Sequence, residues 1–217
     1  MEWKFVDLLS EKAVDPNDLL PYFNDHNVTP VALLIDNTTL AESSDDVSYG
    51  LLKSIVSYEG LTVLQCKGCG GGWALGLVAS VDIVLAANDT SFSLKKMGEK
   101  TAGFTAAMLV HSIGKARTMQ LIVDGEIDVE RLHKYGVVSK ITRQETSSRP
   151  QAFVTELFEK NAAEAAVRLK RTWRAQEGVA IDEALAAERI EFQRCFREGA
   201  AEEIADYLSN RNKAVRD

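Results

Sequence analysis

The order of its apolar segments predicts that the chain adopts an α/β fold built on a parallel sheet. From residue 31 onward, short apolar runs alternate with stretches in which apolar residues recur at helical spacing. The short runs are apolar throughout, which is typical of parallel strands that are covered on both faces. A length of 217 residues suits one domain with a small appendage, and 46% hydrophobic with 26% charged residues excludes disordered and fibrous classes.

Three segments in the first half are predicted strands, because each is short and apolar and is bounded by polar or turn-forming residues. They are Val31–Ile35, Leu61–Leu64 and Asp82–Ala87. Helices are expected between them, over 43–57 and 73–80. Ser43 or Ser44 is the predicted N-cap of the first of these helices.

The second half of the chain is predicted to be mainly helical. One amphipathic helix is expected over 105–122, and a second over 129–135 that ends at Gly136 as its C-cap. The run Val137–Ile141 is the last predicted strand. Because 142–150 is polar and ends in proline, we interpret it as a linker. The predicted units are therefore a core over 1–145 and a helical region over 146–217.

The C-terminal region is predicted to be all helical and to mediate self-association. Its apolar helical face is predicted to comprise Leu185, Phe192, Phe196, Ile204 and Leu208, with Arg189 on the same side of the helix. Such a face is too broad to leave exposed on a helical appendage. We therefore expect a homo-oligomer built through this region.

Charge and targeting signals exclude several classes of function. The chain has 25 basic and 32 acidic residues, a net charge of −7, and no basic cluster that would favour nucleic acid or anionic membranes. No apolar run approaches the roughly 18–20 residues of a membrane span. Charges interrupt the apolar residues of Met1–Asp7, so no signal peptide is predicted. We expect a cytoplasmic protein, and three cysteines, an odd count, argue against a disulfide scaffold.

A glycine cluster, Gly68 and 70–72, separates a predicted strand from a predicted helix. Glycines there allow close backbone approach, and the helix N-terminus directs N–H groups at negative charge. The spacing matches no nucleotide-binding motif, because a Gly-x-Gly-x-x-Gly pattern started at Gly68 ends on Trp73.

The pair Cys66 and Cys69 leaves three interpretations open. A redox dithiol could occupy such a position, where a helix N-terminus lowers a thiol pKa. A zinc site would need four ligands, and only Cys195 and three scattered histidines remain. We favour two small buried thiols beside a tight loop, and we expect neither a metal nor a cofactor.

Around the glycine cluster, the sequence resembles the crotonase superfamily, the enoyl-CoA hydratase/isomerase family. Residues 64–73 follow its strand and Gly-Gly-Gly pattern, 81–87 resembles its Ala-Asp-Ile-Val strand, and Phe92 its following aromatic residue. Weaker similarities lie at 112–128, 135–138 and 187–208. The resemblance implies a ββα spiral core with a C-terminal helical region that forms a trimer or a pair of trimers.

The resemblance also implies a substrate and a site. Members of the family bind an acyl thioester of CoA or of a carrier protein, and two backbone N–H groups hold its carbonyl oxygen. When the sequence is aligned with the family on the glycines, one donor is the N–H of Gly71. When it is aligned on Asp82 instead, the same donor lies nearer Trp73. We favour Gly71, where a side chain is expected to crowd the ligand and to force a strained φ. The neighbouring residues implied to bind substrate are Gly70, Gly72, Trp73 and Lys67.

The departures from the family pattern bear on the reaction. The loop 36–43 lacks the glycine expected near the other oxyanion donor, and 73–76 lacks the first glutamate of the hydratases. Lys96 stands where their second glutamate would be. Each missing acid or base removes a factor of order 10²–10⁴, so ordinary hydration is not expected.

Lysines are the remaining side-chain candidates for chemistry. Lys95 and Lys96 could protonate an enolate or hold a substrate carboxylate, although a solvated lysine pair is the simpler interpretation. Glu99 and Lys100 are further candidates on the same loop. His111 is expected to pack along its helix rather than to act as a catalyst.

Two functions remain open at this point. The first is a decarboxylase, dehydratase or isomerase step on an acyl thioester in polyketide or other secondary metabolism, because family members that lack both glutamates occur there. The second is a non-catalytic partner that stabilises or stimulates a polyketide synthase.

Overall fold

The computed structural model describes residues 3–9, 14–23, 29–39, 45–94, 105–143, 155, 165–174, 180–187 and 189–190. Their strands are β1 Lys4–Asp7, β2 Val31–Asp36, β3 Thr62–Lys67, β4 Cys69–Gly70, β5 Ile83–Ala87, β6 Ser91–Ser93, β7 Glu126–Asp128 and β8 Lys140–Thr142. Their helices are α1 Pro16–Phe23, α2 Asp45–Ser57, α3 Gly72–Ser80, α4 Thr105–Ile113, α5 Lys115–Asp124, α6 Val129–Tyr135, α7 165–174 and α8 180–187. The α/β class is confirmed.

The main sheet has the strand order β1-β2-β3-β5-β8, and each neighbouring pair is parallel. The strands β2 and β3 are buried over five of their six residues each, and in β3 the buried residues include the polar Thr62 and Gln65. A smaller sheet, in the order β4-β6-β7, follows the carboxyl end of β3. The last residue of β2, Asp36, is in register with Lys67, so the loops after both strands leave the sheet at the same edge.

The helix α3 lies at the centre of the molecule. It packs against α2 and α4, and its apolar residues are buried around most of its circumference. A helix that is apolar all round needs such a position, because an exposed apolar face would remain in contact with water. The glycine turn at the start of α3 is consequently attached to a rigid, buried element.

The described part of the C-terminal region is helical and is fastened to the core. In α7, Lys170 Nζ donates to Asp82 Oδ2 at 2.7 Å and to the Gly60 carbonyl at 2.8 Å. Thr62 adds two further donors to the same carboxylate oxygen, its N–H and its hydroxyl, each at 2.7 Å. In α8, Leu185 is buried in the main core, whereas 191–217, which holds the rest of its predicted apolar face, lies outside the described residues.

Several predicted boundaries need correction. The single helix expected over 105–122 is two helices, because Gly114 lies between α4 and α5 with φ +79°. The last strand begins at Lys140, since Val137 precedes it in a turn. Gly136 is confirmed as the left-handed C-cap of α6, with φ +84°. The predicted N-cap, Ser43 or Ser44, and most of the predicted linker lie outside the described residues.

Candidate functional site

The glycine turn connects β3 to α3 and lies at the carboxyl edge of the main sheet. Gly68 has φ +76°, a conformation that residues with a side chain rarely adopt. A Cβ at Gly68 would lie 2.8 Å from Asp36 Oδ1. A Cβ at Gly70 would lie 2.8 Å from the Cβ of Ala74 and 3.2 Å from the Cβ of Asn37. Gly68 is therefore required by its backbone conformation, and Gly70 by close packing.

Gly71 differs from both of these glycines. It is exposed, and nothing lies within 4 Å of the position that its Cβ would take. Its φ of −92° and ψ of −167° are ordinary extended values, so the expectation of a strained φ for a substituted residue is wrong. An open position at this point leaves space for a ligand.

The amide of Gly71 is placed to donate to such a ligand. Gly71 is the N-cap of α3 and follows the last paired residue of β4. Amides at the start of a helix have no intrahelical partner and lie at the positive end of the helix dipole. Thr105 anchors this first turn from α4, because its buried hydroxyl donates to the Gly72 carbonyl at 2.5 Å. The first turn of α3 is therefore fixed to α4.

No acidic residue lies in the first turn of α3. Ala74, the residue after Trp73, is 1% exposed and packs beneath the glycine turn. Trp73 itself is partly buried and packs against the main core. Because no carboxylate is available here, this part of the site lacks a general acid or base.

The loop after β2 forms the other wall of the described site. Asp36 Oδ1 accepts from the N–H of Thr38 at 3.0 Å and from its hydroxyl at 2.7 Å, while Lys67 Nζ lies 3.4 Å from Asp36 Oδ2. Partial burial alone would raise the pKa of Asp36, but the Thr38 hydrogen bonds and the Lys67 ammonium outweigh it and lower the pKa. The Asp36 carboxylate is therefore charged at neutral pH.

This loop also bears on the identity of the first oxyanion donor. The Thr38 N–H is occupied by the Asp36 carboxylate, so it cannot donate to a ligand in this conformation. Asn37 is buried and its side-chain amide donates to the Gly68 carbonyl at 3.4 Å, which ties the loop to the glycine turn. Among the residues that the structure describes, Gly71 is the better-placed donor.

The two cysteines of the glycine region occupy different environments. Both are free thiols: Cys66 is buried, whereas Cys69 is exposed, which corrects the expectation that both are buried. Burial raises the pKa of the Cys66 thiol to about 12, so it stays protonated and unreactive at neutral pH. This argues against a redox dithiol.

The structure describes the positions of some of the other predicted site residues and not of others. Lys67, 35% exposed, lies beside the turn in its ion pair with Asp36. Lys95, Lys96, Glu99 and Lys100 lie outside the described residues. His111 is exposed rather than packed, with its ring 5.4 Å from that of Trp173.

Two residues that the sequence interpretation did not assign to the site, Asn37 and Thr105, contact the glycine turn. The signal for the first was available, because loops that follow adjacent parallel strands leave the sheet at the same edge. No sequence signal marks Thr105, which reaches Gly72 across 33 residues of chain.

Two kinds of feature are absent from the described residues. These residues contain no group of three or more histidine, cysteine or acidic side chains that could hold a metal ion. None of their helices is long and apolar enough to cross a membrane.

Comparisons with known proteins agree with this fold. The model of the enoyl-CoA hydratase/isomerase family matches residues 39–214. No curated protein matches the chain. A proposed polyketide biosynthesis enoyl-CoA hydratase from Bacillus subtilis has a similar structure, with a TM-score of 0.68, 14% identity, and 88% of this chain and 86% of that chain covered.

Two further solved structures show the same likeness. An enoyl-CoA hydratase from Bacillus halodurans has a TM-score of 0.69 and 16% identity, with 88% of this chain and 90% of that chain covered. An enoyl-CoA hydratase/isomerase from Pseudoalteromonas atlantica has a TM-score of 0.69 and 18% identity, with 89% and 88% covered. These matches confirm the crotonase-like fold, and the chain belongs to the enoyl-CoA hydratase/isomerase family.

Proposed function

We propose that the chain binds an acyl thioester with its carbonyl oxygen at the Gly71 N–H, and promotes a step that needs a stabilised enolate rather than the addition of water. Decarboxylation of a CoA- or carrier-bound acyl group is the favoured reaction, because dehydration is the reverse of hydration and needs the same acid and base. Secondary metabolism of the polyketide kind is the proposed setting.

The observation that carries the proposal is the combination found at the start of α3. The Gly71 position is open and exposed, its amide has no helical partner, and the first turn of α3 has no acidic residue. Removing one hydrogen-bond donor to a developing oxyanion costs an active enzyme about 3–4 kcal/mol of transition-state stabilisation. That contribution does not require a side-chain acid.

Water addition, by contrast, requires proton transfer to and from carbon and water. The family's hydratases have glutamates at two positions. At the first, after the glycines, this chain has no acid, and at the second it has Lys96. A decarboxylation forms its carbanion by loss of CO₂, so stabilisation of the enolate oxygen is the main requirement. The polyketide setting is taken from the name of the Bacillus subtilis structure. That structure and this chain share 14% identity, so the comparison itself shows a common fold.

A second candidate is a non-catalytic partner of a polyketide synthase. The Asp36 carboxylate already occupies the Thr38 N–H, which leaves the described part of the site with one clear donor at Gly71. A single donor can support binding of a thioester without rapid turnover. This function would place the chain beside a synthase as a binding or stabilising subunit.

A panel of thioesters distinguishes these functions. Crotonyl-CoA, malonyl-CoA and a malonyl carrier protein would be incubated with the full chain, and products followed by mass spectrometry. We expect crotonyl-CoA hydration at least about 100-fold slower than by an ordinary hydratase, with turnover of a carboxylated thioester. Hydration within tenfold of an ordinary hydratase would overturn the proposal. Thioester binding without turnover would favour the partner function.

A further inference from the structure

A cavity lies at the C-terminal end of α3, away from the glycine turn. Its inner chamber has a volume of about 190 Å³ and has an apolar side formed by Val56, Val81, Met108 and Ile181. A wider outer chamber of about 650 Å³ shares Val81, Asp82 and Trp173 with it, so the two are continuous. The described residues thus form a pocket that opens to the surface.

Two aromatic side chains line both chambers. The rings of His111 and Trp173 have their centroids 5.4 Å apart and are tilted by 34°. Both residues are exposed, and Trp173 is 39% exposed, so part of the indole remains accessible. A flat apolar molecule can pack against such a surface with little loss of side-chain entropy.

The polar side of the inner chamber carries an excess of positive charge. Lys170 is neutralised by Asp82, since their charged atoms lie 2.7 Å apart. Arg174 also lines the chamber and donates to the Ser57 carbonyl, and the described residues provide no carboxylate for it. Burial lowers the pKa of Lys170, Asp82 opposes this change, and the positive charge of Arg174 adds a smaller lowering contribution. The two cations are therefore close, and the described carboxylates balance only Lys170.

We propose that this cavity binds a small aromatic monocarboxylate, with its ring in the apolar chamber and its carboxylate toward Arg174. An apolar cavity of about 150 Å³ is sufficient to bind benzene, so a chamber of about 190 Å³ accommodates one six-membered ring and a short acidic group. An apolar pocket with a few convergent polar groups is the usual form of a small-molecule site. This site is separate from the proposed thioester site and does not depend on it.

The probe for this site is sodium benzoate, titrated into the full chain by calorimetry and by ligand-observed NMR. We expect a Kd of about 1 mM or tighter, which is ordinary for a ligand of this size. The neutral analogue benzyl alcohol should bind at least tenfold more weakly. Arg174→Gln should weaken benzoate binding at least tenfold, whereas Arg171→Gln should leave it unchanged, because Arg171 lies on the same helix but does not line the cavity.

Two further variants keep the test decisive. Trp173→Leu removes the aromatic wall and should also weaken binding, which provides a second measurement if Arg174→Gln does not fold. Gly71→Pro should bind benzoate as the unmodified chain does, because that residue lies at the opposite end of α3. The proposal is overturned if benzoate does not bind at 20-fold the expected Kd, if benzyl alcohol binds equally well, if Arg174→Gln binds normally, or if Gly71→Pro abolishes binding.

Discussion

The two ends of α3 differ. The helix begins at an open turn of glycines, whereas just beyond its other end the Asp82 carboxylate is held in a network of hydrogen bonds. At the first end, the Gly71 amide has no partner within the helix, the first turn of α3 has no acidic residue, and the Asp36–Lys67 pair lies at the ends of the neighbouring strands. The second has a buried acid, Asp82, and a buried ammonium, Lys170, and they are committed to each other and to Thr62. The Asp82–Lys170 pair therefore fastens the C-terminal region to the core.

The contrast teaches where chemistry can occur in this chain. Ionisable groups that are fully paired in the interior cost free energy to bury and have little capacity left for a ligand. A glycine turn costs conformational entropy instead, and it leaves N–H donors oriented toward space. The thioester site is accordingly proposed at the end that has fewer charges.

The largest effect on stability is expected from Lys170→Met. It leaves the Asp82 carboxylate, whose side chain is 16% exposed, without its cation, although Thr62 still donates to it. Removing one member of a buried pair typically costs 3–5 kcal/mol, and we expect about 3 kcal/mol from urea-induced unfolding. The control is Arg171→Met, which breaks an exposed pair with Glu59 and should cost within about 0.5 kcal/mol. Equal losses in the two variants would show that the Lys170 pair is not a fastening.

A smaller effect is expected when a methyl group is added to the glycine turn. Gly70→Ala would place its Cβ 2.8 Å from the Cβ of Ala74 and should lower the free energy of unfolding by about 1–3 kcal/mol. Gly71→Ala has open space and an ordinary φ, so its change should stay within about 0.5 kcal/mol. Thermal and urea unfolding of the two variants would measure the difference. A reversal of the order would disprove the packing described for the turn.

The smallest effect is a pH dependence from Asp36. The folded state lowers the pKa of this carboxyl below 3.8, so its contribution to stability is present above that pH and is lost as the pH falls through the folded-state value. Asp36→Asn should therefore lose less stability than the unmodified chain on acidification from pH 5 to pH 3, about 1 pH unit either side of the ordinary value. Parallel slopes for the two proteins over this range would contradict the assignment.

The central strands and α3 could be predicted because their apolar residues are continuous or helically spaced. The first strand could not, since Lys4–Asp7 has a single buried residue. The small sheet could not either, because β4 has two residues and β6 three, too few to show a period. These elements form through pairing with distant segments.

The site shows the same division. The glycine turn was predicted from local sequence, since close approach of backbone requires glycine. The placement of Asn37 beside that turn follows from the parallel register, which becomes available once the strands are known. The pairing of Lys170 with Asp82 spans 88 residues and has no local signal. Contacts of that kind depend on the tertiary structure.

The most direct test of the thioester site compares Gly71→Pro with Gly71→Ala. Proline removes the N–H and sets φ to about −65°, within about 30° of the −92° of Gly71, whereas alanine adds a methyl group and keeps the donor. Both would be titrated by calorimetry with acetoacetyl-CoA and with acetoacetyl-pantetheine, so that dependence on the carrier is covered. The account predicts that proline weakens thioester binding about tenfold or more relative to alanine, with both variants folded. Equal dissociation constants for the two variants would contradict the claim that the Gly71 amide holds the carbonyl oxygen.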